Sequence, residues 1–328
     1  MSGVARAGLF VSWAPFSRRT ETLARLFGLD LRFVSTPWPK RPLTIPIKYP
    51  WQTVATVRLL RGAAYPELWV MDPPSPLVAM AGAASRRRGV PLVVDMHTVA
   101  FSAPEWLILR RVELPALRRA AAVLVTNEAL ARRVRAWGAR AFVLPDPLPE
   151  PPAGLVRSGA GGPVEPGLVT IVATYSKDEP IDLLPEVARA LPDVSFAVTG
   201  APHGDLGVWP RNLRPTGFLG DEEYWRQLAR SAVVVVLTTR PDTLLSGGYE
   251  ALALGRPLVT SDHAVLRDYY ADAAVYAAAS SASLCDAVAA ALGDSAALGA
   301  RIAALRPVRE TEWERAAARL RAAVGRPA

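Results

Sequence analysis

Two textures of apolar and polar positions alternate along this chain. Short, mostly apolar runs recur at 8–13, 68–71, 91–95 and 122–126, and again at 168–173, 194–199, 232–237 and 258–260. Strands buried on both faces leave runs of this kind. Between them, apolar residues fall three and four apart, the period of a helix with one buried face. The first half predicts helices over 17–27, 49–61, 77–88, 105–119 and 127–137, the last capped by Asn127, with further strands at 31–35 and 141–144. The second half predicts helices over 181–190, 221–231, 249–254, 265–270, 283–305 and 311–324, and a short strand at 274–276. Pro307 is expected to break the last two helices apart. Such alternation predicts an α/β fold of parallel sheets with helices on both faces.

The texture changes once. Residues 145–167 read PDPLPEPPAGLVRSGAGGPVEPG, dense in Pro and Gly and without period, which predicts an interdomain linker. A chain of 328 residues holds about two domains. The expected division is 1–145, a linker at 146–167, and 168–307, each domain Rossmann-like and doubly wound. Ligands of open α/β sheets bind beyond the carboxyl ends of the strands. Two such sheets facing each other would make a cleft.

Charge separates the halves further. Residues 1–150 carry 21 Lys and Arg against 10 Asp and Glu, and the remainder 17 against 20, within a net charge of +8. A basic first half implies an anionic partner there: lipid headgroups, a phosphorylated acceptor or nucleic acid, the last suggested by nothing except charge. Trp38, Lys40, Arg41, Lys48 and Trp51 interleave aromatics with cations, a pattern suited to a membrane interface. No run approaches the roughly 18 apolar residues of a span, and no secretory leader is expected. The single cysteine, Cys285, fits a reducing compartment, so the expected location is cytoplasmic, peripheral on the inner face of the membrane.

The candidate chemistry centres on 232–262. There an apolar strand leads through Thr238-Thr239-Arg240-Pro241-Asp242 to Ser246-Gly247-Gly248, a helix closed by Gly255, and a second strand. Small residues at a helix start let backbone amides approach an anion, and the helix dipole favours it. Asp242 and Glu250 flank that start. The dinucleotide pattern G-x-G-x-x-G is missing after the first strand, as is the phosphate loop. His97, His203 and His263 are isolated in sequence, which argues against a metal site. His203, His263 and Cys285 are read as structural.

These residues resemble the E-x7-E region of GT-B glycosyltransferases, especially family 4. Asp242 stands at the first acidic position, and Glu250-Ala251-Leu252-Ala253-Leu254-Gly255-Arg256-Pro257 matches the second. Gly200, Gly217-Phe218-Leu219-Gly220 and Trp313 extend the match. Asp72-Pro73-Pro74-Ser75-Pro76, Asp95-Met96-His97 and the segment from Thr174 to Glu179 are similar to the β-mannosyltransferase family acting on dolichol-linked chitobiose. The resemblance implies a final helix, 308–328, crossing back to the first domain. It also implies a metal-independent enzyme, with no cofactor, moving a hexose from GDP- or UDP-hexose to a glycan or polyprenyl-linked acceptor. Glu250 would hold the ribose, Ser246, Gly247 and Gly248 the distal phosphate, and Lys177 and Arg240 the diphosphate charge. Asp242 would hold the donor sugar, with a reach one methylene shorter than Glu. His97 would touch sugar or acceptor and serve as general base if configuration inverts; Asp95 would orient it or act as base itself. Arg18 and Arg19 are placed to meet an anionic acceptor. An epimerase or phosphorylase of the same fold, and a non-catalytic binding subunit, stay open.

Overall fold

The computed structural model describes residues 8–36, 38, 44–152, 155, 164–202 and 207–325. Lys40, Arg41 and His203 lie outside the described residues, as does much of 146–167. The chain divides into two compact units, Met1–Asp146 with Trp313–Ala328, and Pro147–Glu312.

The first unit is built on six parallel strands: β1 (Gly8–Ser12), β2 (Leu29–Phe33), β3 (Leu68–Asp72), β4 (Leu92–Met96), β5 (Ala122–Val125) and β6 (Ala141–Val143), in the order β2-β1-β3-β4-β5-β6. β1, β3, β4 and β5 are buried along their whole length, which is why they read as continuous apolar runs. One face carries α2 (Ile45–Gly62), α3 (Ser75–Arg88), α4 (Val99–Ser102), α5 (Pro104–Arg119) and α6 (Glu128–Ala136). The other carries α1 (Arg18–Leu26) and the end of the last helix. α1 and α6 start where side chains cap them: Ser17 accepts from Thr20 N–H, and Asn127 from Leu130 N–H.

The second unit holds β7 (Glu165–Ile171), β8 (Ser195–Thr199), β9 (Leu213–Gly217), β10 (Ser231–Val236), β11 (Leu258–Ser261) and β12 (Ala274–Ala277), all parallel, in the order β12-β11-β10-β7-β8-β9. Its helices are α7 (Leu184–Ala190), α8 (Asp221–Arg230), α9 (Ser246–Leu254), α10 (Ala264–Tyr270), α11 (Ser281–Gly293) and α12 (Ser295–Ala323). Read from β9, the order is three strands inward to β7 and then three outward from β10. The topological switch therefore falls between β7 and β10. Both sheets are of the expected doubly wound kind.

Four local expectations are corrected. β7 begins at Glu165, inside the Pro/Gly-rich stretch, because its first residues pair with Ser231 at the start of β10. β9, LRPTG, is invisible to periodicity; it is an edge strand, where a proline costs no ladder bond that the sheet needs. α4 is too short to leave a period. Finally, Pro307 lies inside α12, and the break falls at Asp294, with α11 and α12 bent 87° apart. A mid-helix proline costs about 3 kcal/mol. Side chains on both sides of it offset that cost: Arg306 donates to the Ala253 carbonyl (2.8 Å) and Arg309 to that of Tyr269 (2.9 Å). Beyond Glu312 the same helix belongs to the first unit. There Ala316, Ala317 and Leu320 are buried with Phe10 and Trp69, and the Trp313 indole donates to the Pro145 carbonyl at 3.0 Å. Among the described residues no single helix is long and apolar enough to cross a membrane.

Candidate active site

In the second unit the predicted donor residues gather at the switch point. The loop after β7 is braced by Glu179, which accepts from Thr174 N–H at 2.8 Å, Thr174 hydroxyl at 2.9 Å and Ser176 N–H at 3.1 Å. Tyr175 takes a left-handed conformation, φ 58°, and packs against the core of the unit. Lys177 is left exposed at the tip of this loop. Its neighbour Asp178 ties the loop to the one after β10. The Asp178 carboxylate accepts from the Thr238 hydroxyl at 3.0 Å and pairs with Arg240 at 3.0 Å, and its carbonyl accepts from Thr239 N–H at 2.7 Å. Ser261 and His263 fix the β10 loop from the other side, through Thr238 N–H (2.8 Å) and the Thr238 carbonyl (3.0 Å). Lys177 and Arg240 are thus brought to adjoining loops, and Arg240 is partly neutralised by Asp178. Asp242 follows in the same loop, half-buried.

α9 opens from that loop. Its N-cap is Leu245, which has no side-chain acceptor to offer, so the first turn is uncapped. Gly248 N–H is spent on the Leu245 carbonyl at 3.1 Å, which leaves the Ser246 and Gly247 amides for an anion. Gly248 is required for a different reason. A Cβ there would overlap the hydroxyl of fully buried Tyr270, and one at Gly247 would come within 2.9 Å of Val172. The expectation that all three amides are offered to a phosphate is therefore corrected to two. Gly255 closes the helix at φ 66°, a conformation that costs a side chain little only when there is none.

Glu250 sits on the second turn of α9 and is only 4 % exposed. The Tyr224 hydroxyl, from the first turn of α8, donates to its Oε2. A carboxylate that receives one hydrogen bond from a phenol has further acceptor positions for hydroxyl donors. Sequence reasoning missed Tyr224; it lies 26 positions from Glu250, and only the pairing of β10 beside β7 brings α8 against α9.

The first unit gathers a different set at the carboxyl edge of β4. Asp95, the fourth residue of that strand, is fully buried. Its Oδ1 accepts from Arg19 Nε at 2.9 Å, and its Oδ2 lies 3.1 Å from His97 Nε2. Burial pushes the Asp95 carboxyl up, but Arg19 and then His97 outweigh it and hold the group down at about 2. Two expectations change. Arg19 is not available to an acceptor: its guanidinium is spent on Asp95, Asp146 (2.5 Å) and the Leu144 carbonyl (3.0 Å), and its side chain is nearly buried. Asp95 is too acidic to take a proton near neutrality, so the base role does not suit it; orienting the His97 ring does. His97 is a quarter exposed, and its backbone is pinned by its N–H on the Asp72 carbonyl at 2.8 Å. Arg18 is exposed at the first position of α1.

Beneath His97 lies a buried group that periodicity does not reveal. Arg110 pairs with Glu113, lies 3.7 Å from Asp72, and stacks 4.2 Å over the Trp137 ring. Burial and the neighbouring Glu113 push Asp72 well above the usual carboxylate range, against Arg110. Among the described residues no three His, Cys, Asp or Glu side chains come together as metal ligands.

Two parallel six-stranded, doubly wound sheets, one with an uncapped glycine-bearing helix at its switch point, define a two-domain Rossmann-like architecture. The chain matches the model of a glycosyl transferase 4-like domain over residues 3–146 and that of a glycosyl transferase-like domain over 181–322. It belongs to the glycosyltransferases of the GT-B type. No curated protein matches the sequence. Among solved structures it is similar to HepE of Anabaena in complex with UDP, with a TM-score of 0.69 at 15 % identity over 96 % of this chain and 99 % of that one. It is similar also to sucrose-phosphate synthase of Thermosynechococcus elongatus, with a TM-score of 0.63 at 17 % identity over 88 % of this chain and 81 % of that one. A third is the UDP-forming α,α-trehalose-phosphate synthase of Burkholderia vietnamiensis, with a TM-score of 0.59 at 16 % identity over 83 % and 80 %.

Proposed function

We propose that this glycosyltransferase moves a hexose from a nucleotide sugar, a UDP-hexose before a GDP-hexose, to a hydroxyl of a glycan or polyprenyl-linked acceptor without a metal ion. The observation that carries the donor half is the start of α9: two open amides at an uncapped helix end, one turn before a buried carboxylate. The Ser246 and Gly247 amides meet the distal phosphate, and Glu250 accepts from the two ribose hydroxyls. Lys177 and Arg240 face the diphosphate whose charge grows as the glycosidic bond breaks, and stabilisation of that charge is the main catalytic term. Asp242 holds the sugar. The preference for uridine draws support from the solved HepE structures with UDP and UDP-glucose.

The first unit takes the acceptor. His97, oriented by Asp95, is the group there able to accept a hydroxyl proton, a role worth about a hundredfold or more in rate. The basic charge of this unit supports a peripheral position on the inner face of a membrane, where a polyprenyl-linked acceptor would be met.

A thermal-shift panel of nucleotide sugars, run with and without EDTA, tests this reading. A UDP-hexose should raise the melting temperature by mass action, equally in both conditions, and transfer to a glycan or lipid-linked acceptor should survive EDTA. A panel in which no nucleotide sugar stabilises the protein contradicts the reading; stabilisation or transfer lost in EDTA contradicts the metal-free part.

A further inference from the structure

The helix layer of the first unit is apolar where water should meet it. α2 turns polar residues inward: Gln52 and Thr56 are buried, with Gln52 donating to the Val34 carbonyl at 2.7 Å and Thr56 accepting from the Trp13 indole at 2.8 Å. Its outward stripe, at a spacing of three and four, is Ile47, Trp51 and Val54. Ile47 is 62 % exposed, and Trp38 stands edge-on to Trp51 with ring centres 6.4 Å apart. α5 repeats the arrangement with Leu107, Ile108 and Val112, Ile108 being 77 % exposed. Single exposed apolar residues need no explanation; two stripes on helices of one layer, on either side of α3, do.

The stripes share one side of the sheet. α2 and α5 both cover the face that buries Leu60, Leu77 and Leu117. Tyr49 of α2 lies near enough to Glu105 of α5 that the carboxylate, after burial, adds to the rise of its phenol. Both helices start from the carboxyl edge of the sheet, the edge that holds His97, and both stripes begin in the first turn.

Charge selects the occupant. On the same helices stand Arg58 and Arg61, and Arg111 and Arg119, all exposed and without a carboxylate partner among the described residues. Four of the ten acidic residues in 1–150, namely Glu67, Asp72, Asp95 and Glu113, are buried, so the surface is more basic than the composition. A second copy of this chain would set arginine against arginine. An anionic bilayer answers both features, since acyl chains take the apolar stripe and phosphates take the cations.

We propose that the outward face of α2 and α5 is a docking surface for an anionic lipid bilayer. It gives the membrane contact of the functional reading a location, and docking requires neither donor nor turnover.

Flotation of the full chain with phosphatidylserine–phosphatidylcholine vesicles tests it, against phosphatidylcholine alone. Binding should be at least about twenty-five-fold stronger to the anionic vesicles, since each cation near such a surface contributes roughly fivefold and at least two are engaged. A Trp51→Glu, Ile108→Glu variant should lose at least about tenfold, each side chain having left an apolar environment, with an unchanged melting temperature and unchanged nucleotide-sugar stabilisation. An Arg111→Glu, Arg119→Glu variant should lose a similar factor. Absence of vesicle binding, or binding that neither variant weakens, overturns the proposal. So does sedimentation showing a dimer that Ile108→Glu dissociates, because the occupant is then a second copy. If vesicles bind but no nucleotide sugar stabilises the protein, the donor reading fails and the docking surface stands.

Discussion

Asp95 and Glu250 are both buried carboxylates beside the carboxyl edge of a parallel sheet, and their surroundings give them opposite uses. Asp95 is gripped by a guanidinium and an imidazole, and its charge is answered within the protein. Glu250 is met by the phenol of Tyr224, which supplies a hydrogen bond but no charge. The first arrangement fixes a structure and orients His97. The second is where the proposed function puts the acceptor for a ligand's hydroxyls. Depth of burial does not distinguish the two; the partners do, a guanidinium and an imidazole on Asp95 and a phenol on Glu250.

The contrast is broken most forcefully at Arg19. Arg19→Met removes the cation and leaves Asp95 buried without it, which should cost about 3–5 kcal/mol of stability in a urea unfolding curve. A loss below about 1 kcal/mol would mean that Asp95 does not need its cation. The next effect is at the donor helix. Gly248→Ala drives a methyl into the Tyr270 hydroxyl, and overpacking of that kind costs about 1–3 kcal/mol; an unchanged melting temperature would show that the helix start has room to move.

The acid limb of stability sharpens the comparison. Asp95 has a folded-state value of about 2, below its unfolded value near 3.9. Its contribution, about 2–3 kcal/mol, is therefore complete above the unfolded value and is lost as pH falls from about 4 toward 2. Asp95→Asn should flatten the pH dependence of stability in that window; a variant as acid-sensitive as the parent would contradict the pairing. The smallest effect is Tyr224→Phe, which removes one hydrogen bond to Glu250 and should weaken nucleotide-sugar binding about tenfold, roughly 1–1.5 kcal/mol.

The two edges were unequally legible in sequence, for physical reasons. The donor edge is local: strand, loop, glycines, Glu250 and Gly255 lie within 232–262, and each obeys a short-range rule of burial, helix start or helix end. The first unit's edge is assembled from afar. Arg19 meets partners 76 and 127 positions away, so nothing in the spacing showed that its charge was already used. The same holds for the brace of Asp178 on Arg240 and for the rings around Arg110. Strands buried on both faces announced themselves, whereas the edge strand β9 did not. Pro307 obeyed its local preference on paper, but bonds from Arg306 and Arg309 overrode it. α2 has a helical period whose buried stripe is led by the polar Gln52 and Thr56 before Leu60, so the period showed the helix and not which side faces inward.

Calorimetric titration of wild type and Glu250→Ala, with the nucleotide sugar that the thermal panel selects, tests the donor assignment most directly. Loss of hydrogen bonds from two ribose hydroxyls to a charged group should weaken binding about a hundredfold, with the variant still folded. Wild-type affinity in Glu250→Ala would contradict the account.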